Sequence, residues 1–178
     1  MKICLVRHAE TEWNYEGKIQ GQKNMELNET GIRQAKKLKI KLSDLSYDYC
    51  YMSPLIRAVQ TAIILIGDRV ETIPDKRLVE RDFGELEGKS IKLYDAKKYW
   101  DYNLNSNDLG IEPVQDIFKR CEDFLDYIKN KYDDDTTILI VSHGAPTRAL
   151  HHILSKTDRN SSLLDVSIPN CFYREYEI

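Results

Sequence analysis

Two arginines, two histidines and a glutamate stand directly behind, or shortly after, the short apolar runs of this 178-residue chain. Arg7-His8 follows Lys2–Val6, Arg57 follows the run ending at Ser53, His143 follows Ile138–Ser142, and Glu80 comes after Val70–Pro74. Only four histidines occur, and two of them close the most apolar segments. A tetrahedral phosphoryl group suits this set. Arginine's planar fork donates bidentate, charge-assisted hydrogen bonds to phosphate oxygens and stays charged at any working pH. A neutral imidazole attacks phosphorus in line to form a phosphohistidine, and a second imidazole, protonated by the bound anion, stabilises the equatorial oxygens. A carboxylate protonates the leaving oxygen and then takes a proton from water.

Each residue alone has a plainer role: a hydrogen-bonded histidine, an ion-paired arginine, a capping or salt-bridging glutamate. Their repetition at the ends of apolar runs favours chemistry. A zinc site built from His8, His143 and Glu80 is disfavoured, because it would set Arg7 and Arg57 beside a cation and no HExxH spacing occurs. No metal and no cofactor are expected. His151 and His152 fall inside a helical pattern and are assigned structural roles.

The elements that must hold these groups are strands alternating with helices. Strands are expected at 2–6, 47–53, 70–74 and 136–142, with a terminal strand or hairpin in the last sixteen residues. Helical spacing covers 30–44, where Asn28 or Thr30 caps, and also 113–132 and 144–155. A further helix follows Ser53-Pro54, a suitable cap and first-turn pair, and ends at Gly67. The alternation predicts an α/β three-layer sandwich, a mostly parallel sheet with helices on both faces, whose site lies at the carboxyl ends of the strands. Residues 1–178 are expected to form one domain, with a small, partly helical cap insertion at about 84–110.

Composition excludes several classes. A net charge of −3 gives no electrostatic case for nucleic acid, and no apolar run approaches the roughly 18 residues of a membrane span. The N-terminus lacks a signal-peptide pattern, so a cytoplasmic address is expected, without membrane association. Cys4, Cys50, Cys121 and Cys171 are widely spaced and suit buried reduced thiols.

With these residues assembled, the sequence resembles the histidine phosphatase superfamily, the phosphoglycerate mutase-like proteins, over most of its length. The resemblance is carried by Arg7-His8-Ala9-Glu10 with Thr11, then Asn14, Gln20-Gly21, Leu27, and Gly31 to Ala35. It continues through Ser53-Pro54-Leu55, Arg57-Ala58, Gln60-Thr61, Leu78, Glu80, Phe83-Gly84, Glu87-Gly88 and Ser142-His143-Gly144. It implies that His8 is transiently phosphorylated, that Arg7, Arg57 and His143 surround the phosphate, and that Glu80 is the proton donor. Asn14, Gln20 and Gly21 match positions on the phosphate or substrate side, while Ser53 and Gly144 shape the pocket through hydroxyl or backbone donors.

The family holds phosphatases and mutases. A short cap, little chain beyond the last strand and the Ser53–Arg57 segment favour a phosphomonoesterase acting on a small phosphorylated metabolite. The alternatives are phosphoglycerate mutase-type transfer and a non-catalytic phospholigand-binding protein; the presence of all five core residues weighs against the second. Whether the chain is a monomer or a homodimer is left open. The cap includes Lys89, Lys92, Lys97 and Lys98 together with Tyr94, Tyr99, Trp100 and Tyr102, and most of these aromatics are expected to pack onto the sheet rather than select substrate.

Overall fold

Along β1 (Lys2–Arg7) and β4 (Thr137–Ser142) successive apolar side chains enter two different covered faces, which is why both strands read as unbroken apolar runs. Ile3, Leu5, Ile138 and Ile140 pack with Tyr51 on one face; Cys4, Val6, Leu139 and Val141 pack with Cys50 and Met52 on the other. The computed structural model describes Met1–Ile178 and adds β2 (Tyr49–Met52), β3 (Glu71–Pro74) and β5 (Tyr173–Glu177) to one sheet, in the order β3-β2-β4-β1-β5. The first four strands run parallel, and β5 pairs antiparallel with β1 at the edge.

Helices α2 (Glu29–Lys41) and α3 (Ile56–Ile66) bring Leu38, Ala58, Ala62 and Leu65 onto the Cys4–Val6 face. Helices α5 (Val114–Lys131) and α6 (Gly144–Leu154) cover the opposite face with Ile117, Phe118, Phe124, Leu125, Ala149 and Leu150. Three layers result, as the alternating elements require. Phe124 is fully buried and meets Tyr51 edge-on at 5.3 Å, so truncating it to alanine costs about 3–5 kcal/mol. No helix is long and apolar enough to cross a membrane.

Two boundaries differ from the expected ones. Helix α3 starts at Ile56: Ser53 Oγ accepts from Leu55 N at 3.3 Å as well as from His143 Nε2 at 2.7 Å, and Asn24 Oδ1 accepts from the Ile56 N–H at 2.7 Å. A tertiary partner shares the capping task with the local serine. The terminal segment forms one strand and no hairpin, with Ser155–Phe172 running irregularly before it.

Residues 84–110 consist of short 3-10 turns and the single-turn helix α4 (Ala96–Tyr99). They are tied down by Arg81, whose buried guanidinium donates to Tyr94 Oη, Tyr99 O and Glu112 O. Backbone bonds from Ile19 N to Lys89 O and from Gly88 N to Ile19 O join this cap to the loop after the short helix α1 (Glu12–Tyr15).

Candidate active site

The parallel register of β1 and β4 pairs Arg7 with Ser142, so the next residue of each strand, His8 and His143, leaves the sheet beside the other. Their ring centroids lie 5.1 Å apart. His8 is 1% exposed, and its Nδ1 stands 2.6 Å from Ala9 O. A carbonyl only accepts, so Nδ1 carries the proton and Nε2 keeps a free lone pair. Burial holds the His8 imidazole well below its ordinary proton affinity, and the charges of Arg57 and Arg7 push it further down, against the bond to Ala9 O. The nucleophile expected from the sequence is thus a neutral imidazole of defined tautomer. Thr61 Oγ accepts from Ala9 N at 3.1 Å and steadies the turn behind it.

Arg57 and His143 are fully buried, with the His143 ring beside that of His8. Arg57 Nε donates to His143 Nδ1 at 3.1 Å, which places the His143 proton on Nε2, where it is donated to Ser53 Oγ at 2.7 Å. The other two guanidinium nitrogens donate to Lys23 O and Gly21 O, each at 2.7 Å. Gly21 accepts this tie with a positive φ of 51°, and any Cβ there would overlap the Glu87 carboxylate. Burial lowers the Arg57 pKa to about 10, which leaves it cationic at neutral pH, and holds His143 well below its usual value, with Arg57 adding to the effect. In this arrangement His143 is a neutral link between Ser53 and Arg57. Ser53 likewise faces His143 and not the cleft.

Glu80 lies at the start of α6. Its Oε2 accepts from Gly144 N at 2.9 Å, and its Oε1 accepts from Ala145 N at 3.0 Å and from Arg81 N at 2.9 Å. The helix N-terminus offers itself to an anion, and here the anion is the Glu80 carboxylate. The Gly144 N–H expected to face phosphate is therefore engaged by Glu80. A Cβ on Gly144 would come within 3.4 Å of Glu80 Oε2 and 3.7 Å of Arg7 Cζ, so a residue larger than alanine would wedge the two apart. Arg7 itself donates from Nη1 to Ile168 O, and burial lowers its pKa. Its Nε is buried with no partner.

Arg7, His8, Glu80 and Gly144 share one wall of a cleft of about 230 Å³, with Asn14, Gln20 and Gly21 also lining it. Gln20 Oε1 is a second buried polar atom without a partner. Larger hollows of about 530 and 500 Å³ open around Leu45–Tyr47, away from these groups, and gather none of them. His8, His143 and Glu80 form no cluster able to hold a metal ion.

Lys18, Arg148, Tyr94 and Trp100 also line the cleft, whereas none of the four cap lysines does. Tyr94 and Trp100 were expected mainly to pack, and Lys18 and Arg148 carried no sequence signal beyond the spacing of Arg148 four residues after Gly144. Asn170, which looks like turn punctuation after Pro169, donates from Nδ2 to His8 O at 3.1 Å.

Comparison with known proteins places this geometry in a family. The chain is 32% identical over 165 residues to phosphoserine phosphatase 1 of Hydrogenobacter thermophilus, covering 89% of this chain and 78% of that one. It is 32% identical over 177 residues to the uncharacterized phosphatase PhoE of Bacillus subtilis, covering 97% and 89%. The crystal structure of phosphoserine phosphatase from Entamoeba histolytica in complex with 3-phosphoglyceric acid superposes with a TM-score of 0.78 at 30% identity, covering 98% and 89%. The family model for the histidine phosphatase superfamily, branch 1, matches residues 3–178, and the chain belongs to that family.

Proposed function

We propose that the chain is a phosphomonoesterase that hydrolyses a small phosphorylated metabolite through a phosphohistidine on His8. The observation that carries this is the His8 tautomer: Nδ1–H is committed to Ala9 O, and burial together with two arginines keeps Nε2 free of a proton. The phosphoryl group is received by Arg7, whose Nε waits without a partner, and by the Asn14 amide. Nε2 attacks phosphorus as the P–O ester bond breaks opposite it, and Glu80 relays to the departing alkoxide the proton that the phosphate monoester brings in as its monoanion. Water then attacks phosphorus as the N–P bond breaks and passes a proton to Glu80, which gives it to the departing phosphate, so both groups are restored. Arg57 and His143 act from behind, as a buried cation and a fixed link that hold His8 neutral and oriented.

Phosphatases among the relatives, including those named for phosphoserine, support hydrolysis. A bisphosphoglycerate-dependent mutase from Cytophaga hutchinsonii, 30% identical over 168 residues, keeps transfer between substrates as the competing reaction. Incubation with an aryl phosphate and with phosphoglycerate separates them: phosphate release without isomer exchange is the expected result, and exchange with little release would overturn it. His8→Ala is expected to abolish release together with any acid-labile phosphoenzyme.

A further inference from the structure

The hollows beside Leu45–Tyr47 lie at the edge of the sheet opposite His8 and His143. Helix α2 leads into the start of β2 and helix α3 into the start of β3, so both helices end at the amino edge of the parallel strands. The larger hollow, about 530 Å³, opens between those two ends and falls within the roughly 300–1,000 Å³ of sites that take a ligand. Its lining is mainly apolar: Ile40, Leu42, Leu45, Leu65, Ile66 and Val70. Lys39 and Arg69 also stand on it, and its lining includes no carboxylate. Arg69 is held there by a bond from its Nε to Ile66 O at 3.3 Å, while its two terminal nitrogens make no hydrogen bond within the protein.

Charge gathers on the same side. Arg33, Lys36, Lys37, Lys39 and Lys41 are all exposed on α2 with no acid between them, a local reversal of sign in a chain of net charge −3. Of these five, only Arg33 has a salt-bridge partner, Glu29 at 3.7 Å, at an exposed position where such a pair holds weakly. Lys39 and Lys41 sit in the last turn, where any helix favours cations, but Arg33, Lys36 and Lys37 come before it. The last three share a helix face with Ile40, at the spacings of neighbouring turns. A singly exposed apolar residue is ordinary; Ile40, 74% exposed, instead continues the lining of the hollow and makes one patch with it.

Shape and charge together define the occupant. A basic rim selects an acidic partner, and a recessed apolar floor selects one with a protruding apolar side chain, the mode in which apolar anchors enter a groove between helices. An anionic bilayer matches the charge, but its headgroup surface does not reach a recessed floor. We infer that the α2–α3 groove docks an acidic segment of a partner protein, with an apolar side chain seated against Ile40, Leu65 and Val70 and carboxylates met by Lys36, Lys37, Lys39 and Arg69. The catalytic cleft stays open at the other edge of the sheet, and the inference does not depend on the reaction there.

The test is fluorescence anisotropy of the full-length protein with a pool of short labelled peptides, leucine or phenylalanine at the centre and aspartate or glutamate to either side. Binding is expected, weaker by about tenfold or more when serine replaces the apolar residues, and falling as salt rises from about 0.1 M to 1 M. Lys36→Gln with Lys37→Gln should weaken it by about three- to tenfold and Ile40→Ser by about tenfold, with Tm unchanged because all three positions are exposed. Amide shifts on binding should map to Ile40–Tyr47 and Leu65–Val70. Shifts confined to Arg7, Gln20 and Gly144 would put the peptides in the catalytic cleft and overturn the inference. So would absence of binding up to about 1 mM, equal binding of the serine-centred pool, or affinity unmoved in the folded variants. Binding to phosphatidylserine vesicles, or dimerisation in sedimentation velocity, that is lost in Ile40→Ser while the peptides fail to bind would give the groove to a bilayer or a second copy and overturn it as well.

Discussion

Asn170 Nδ2 lies 3.1 Å from Asn14 Oδ1, and that contact joins the Thr11 donors in turning the Asn14 oxygen away from the cleft. Asn14 Oδ1 also accepts from Thr11 N and Thr11 Oγ, both at 3.2 Å. A backbone N–H only donates, so the oxygen is identified and filled, and the Asn14 NH2 is the group left for a ligand. Asn170 also donates to His8 O, joining the chain after β1 to the segment before β5.

Asn170 is therefore a positioning residue, acting through Asn14. Replacing it with alanine should raise KM and weaken vanadate inhibition by about 10- to 100-fold, the range for a hydrogen bond to a charged ligand, with a smaller effect on kcat. The decisive measurement is the double substitution: in an Asn14→Ala background, Asn170→Ala should add little. Fully additive losses would mean that Asn170 supports the fold alone.

Glu80→Gln keeps an acceptor for the α6 N–H groups but cannot deliver a proton. Turnover of alkyl phosphates should fall by about 10²- to 10⁴-fold, and that of aryl phosphates much less, because a good leaving group departs unprotonated. Steady-state rates over a series of leaving groups check this. A uniform drop across the series would confine Glu80 to holding the helix terminus.

Arg57→Ala removes donors from Gly21 O, Lys23 O and His143 Nδ1, all held in the folded protein. A cost of about 3 kcal/mol or more is expected from the stranded acceptors, lowering Tm by roughly 10 °C for a chain of this size. It also withdraws a positive charge that suppresses protonation of His8, so the acid limb of kcat/KM should move to higher pH. A limb that stays in place would show that Arg57 acts only on the loop.

Acid should destabilise the fold below neutrality. His8 and His143 are held neutral by burial at pH values where a free imidazole, with its ordinary pKa of 6.5, takes up a proton. Below that point the unfolded chain binds more protons than the folded one. Stability should then fall by about 1.4 kcal/mol per pH unit for each of the two, stay level above pH 6.5, and level off again below the folded pKa values. His151 and His152, lowered chiefly by burial, contribute in the same sense. Thermal denaturation from pH 7.5 downward should show a shallower decline in His143→Gln than in the unmodified protein; equal declines would locate the proton linkage elsewhere.

Much of this architecture was legible before any coordinates, and the reason is local. Continuous apolar runs at 2–6 and 137–141 belong to strands covered on both faces, and the 3.6-residue spacing of Ile117, Cys121, Phe124 and Ile128 belongs to a helix with one buried side. Residues that follow such strands emerge at one edge of a parallel sheet, which is why His8, His143 and Arg57 could be gathered in advance. Their type and order also mark the family.

Tertiary structure alone decided how each group is used. Nothing in the sequence names the partners of Arg57; folding gives it His143 and two loop carbonyls, contacts spanning 86, 36 and 34 positions. Ser53 accepts from Leu55 N before α3, while the Ile56 N–H is met by Asn24 from another loop. Asn170 has no local signature, because a filled amide oxygen is a property of what surrounds a side chain. Periodicity and residue type act over a few neighbours and determine the elements; the pairing of donors with acceptors far apart in sequence exists only once the sheet has brought them together.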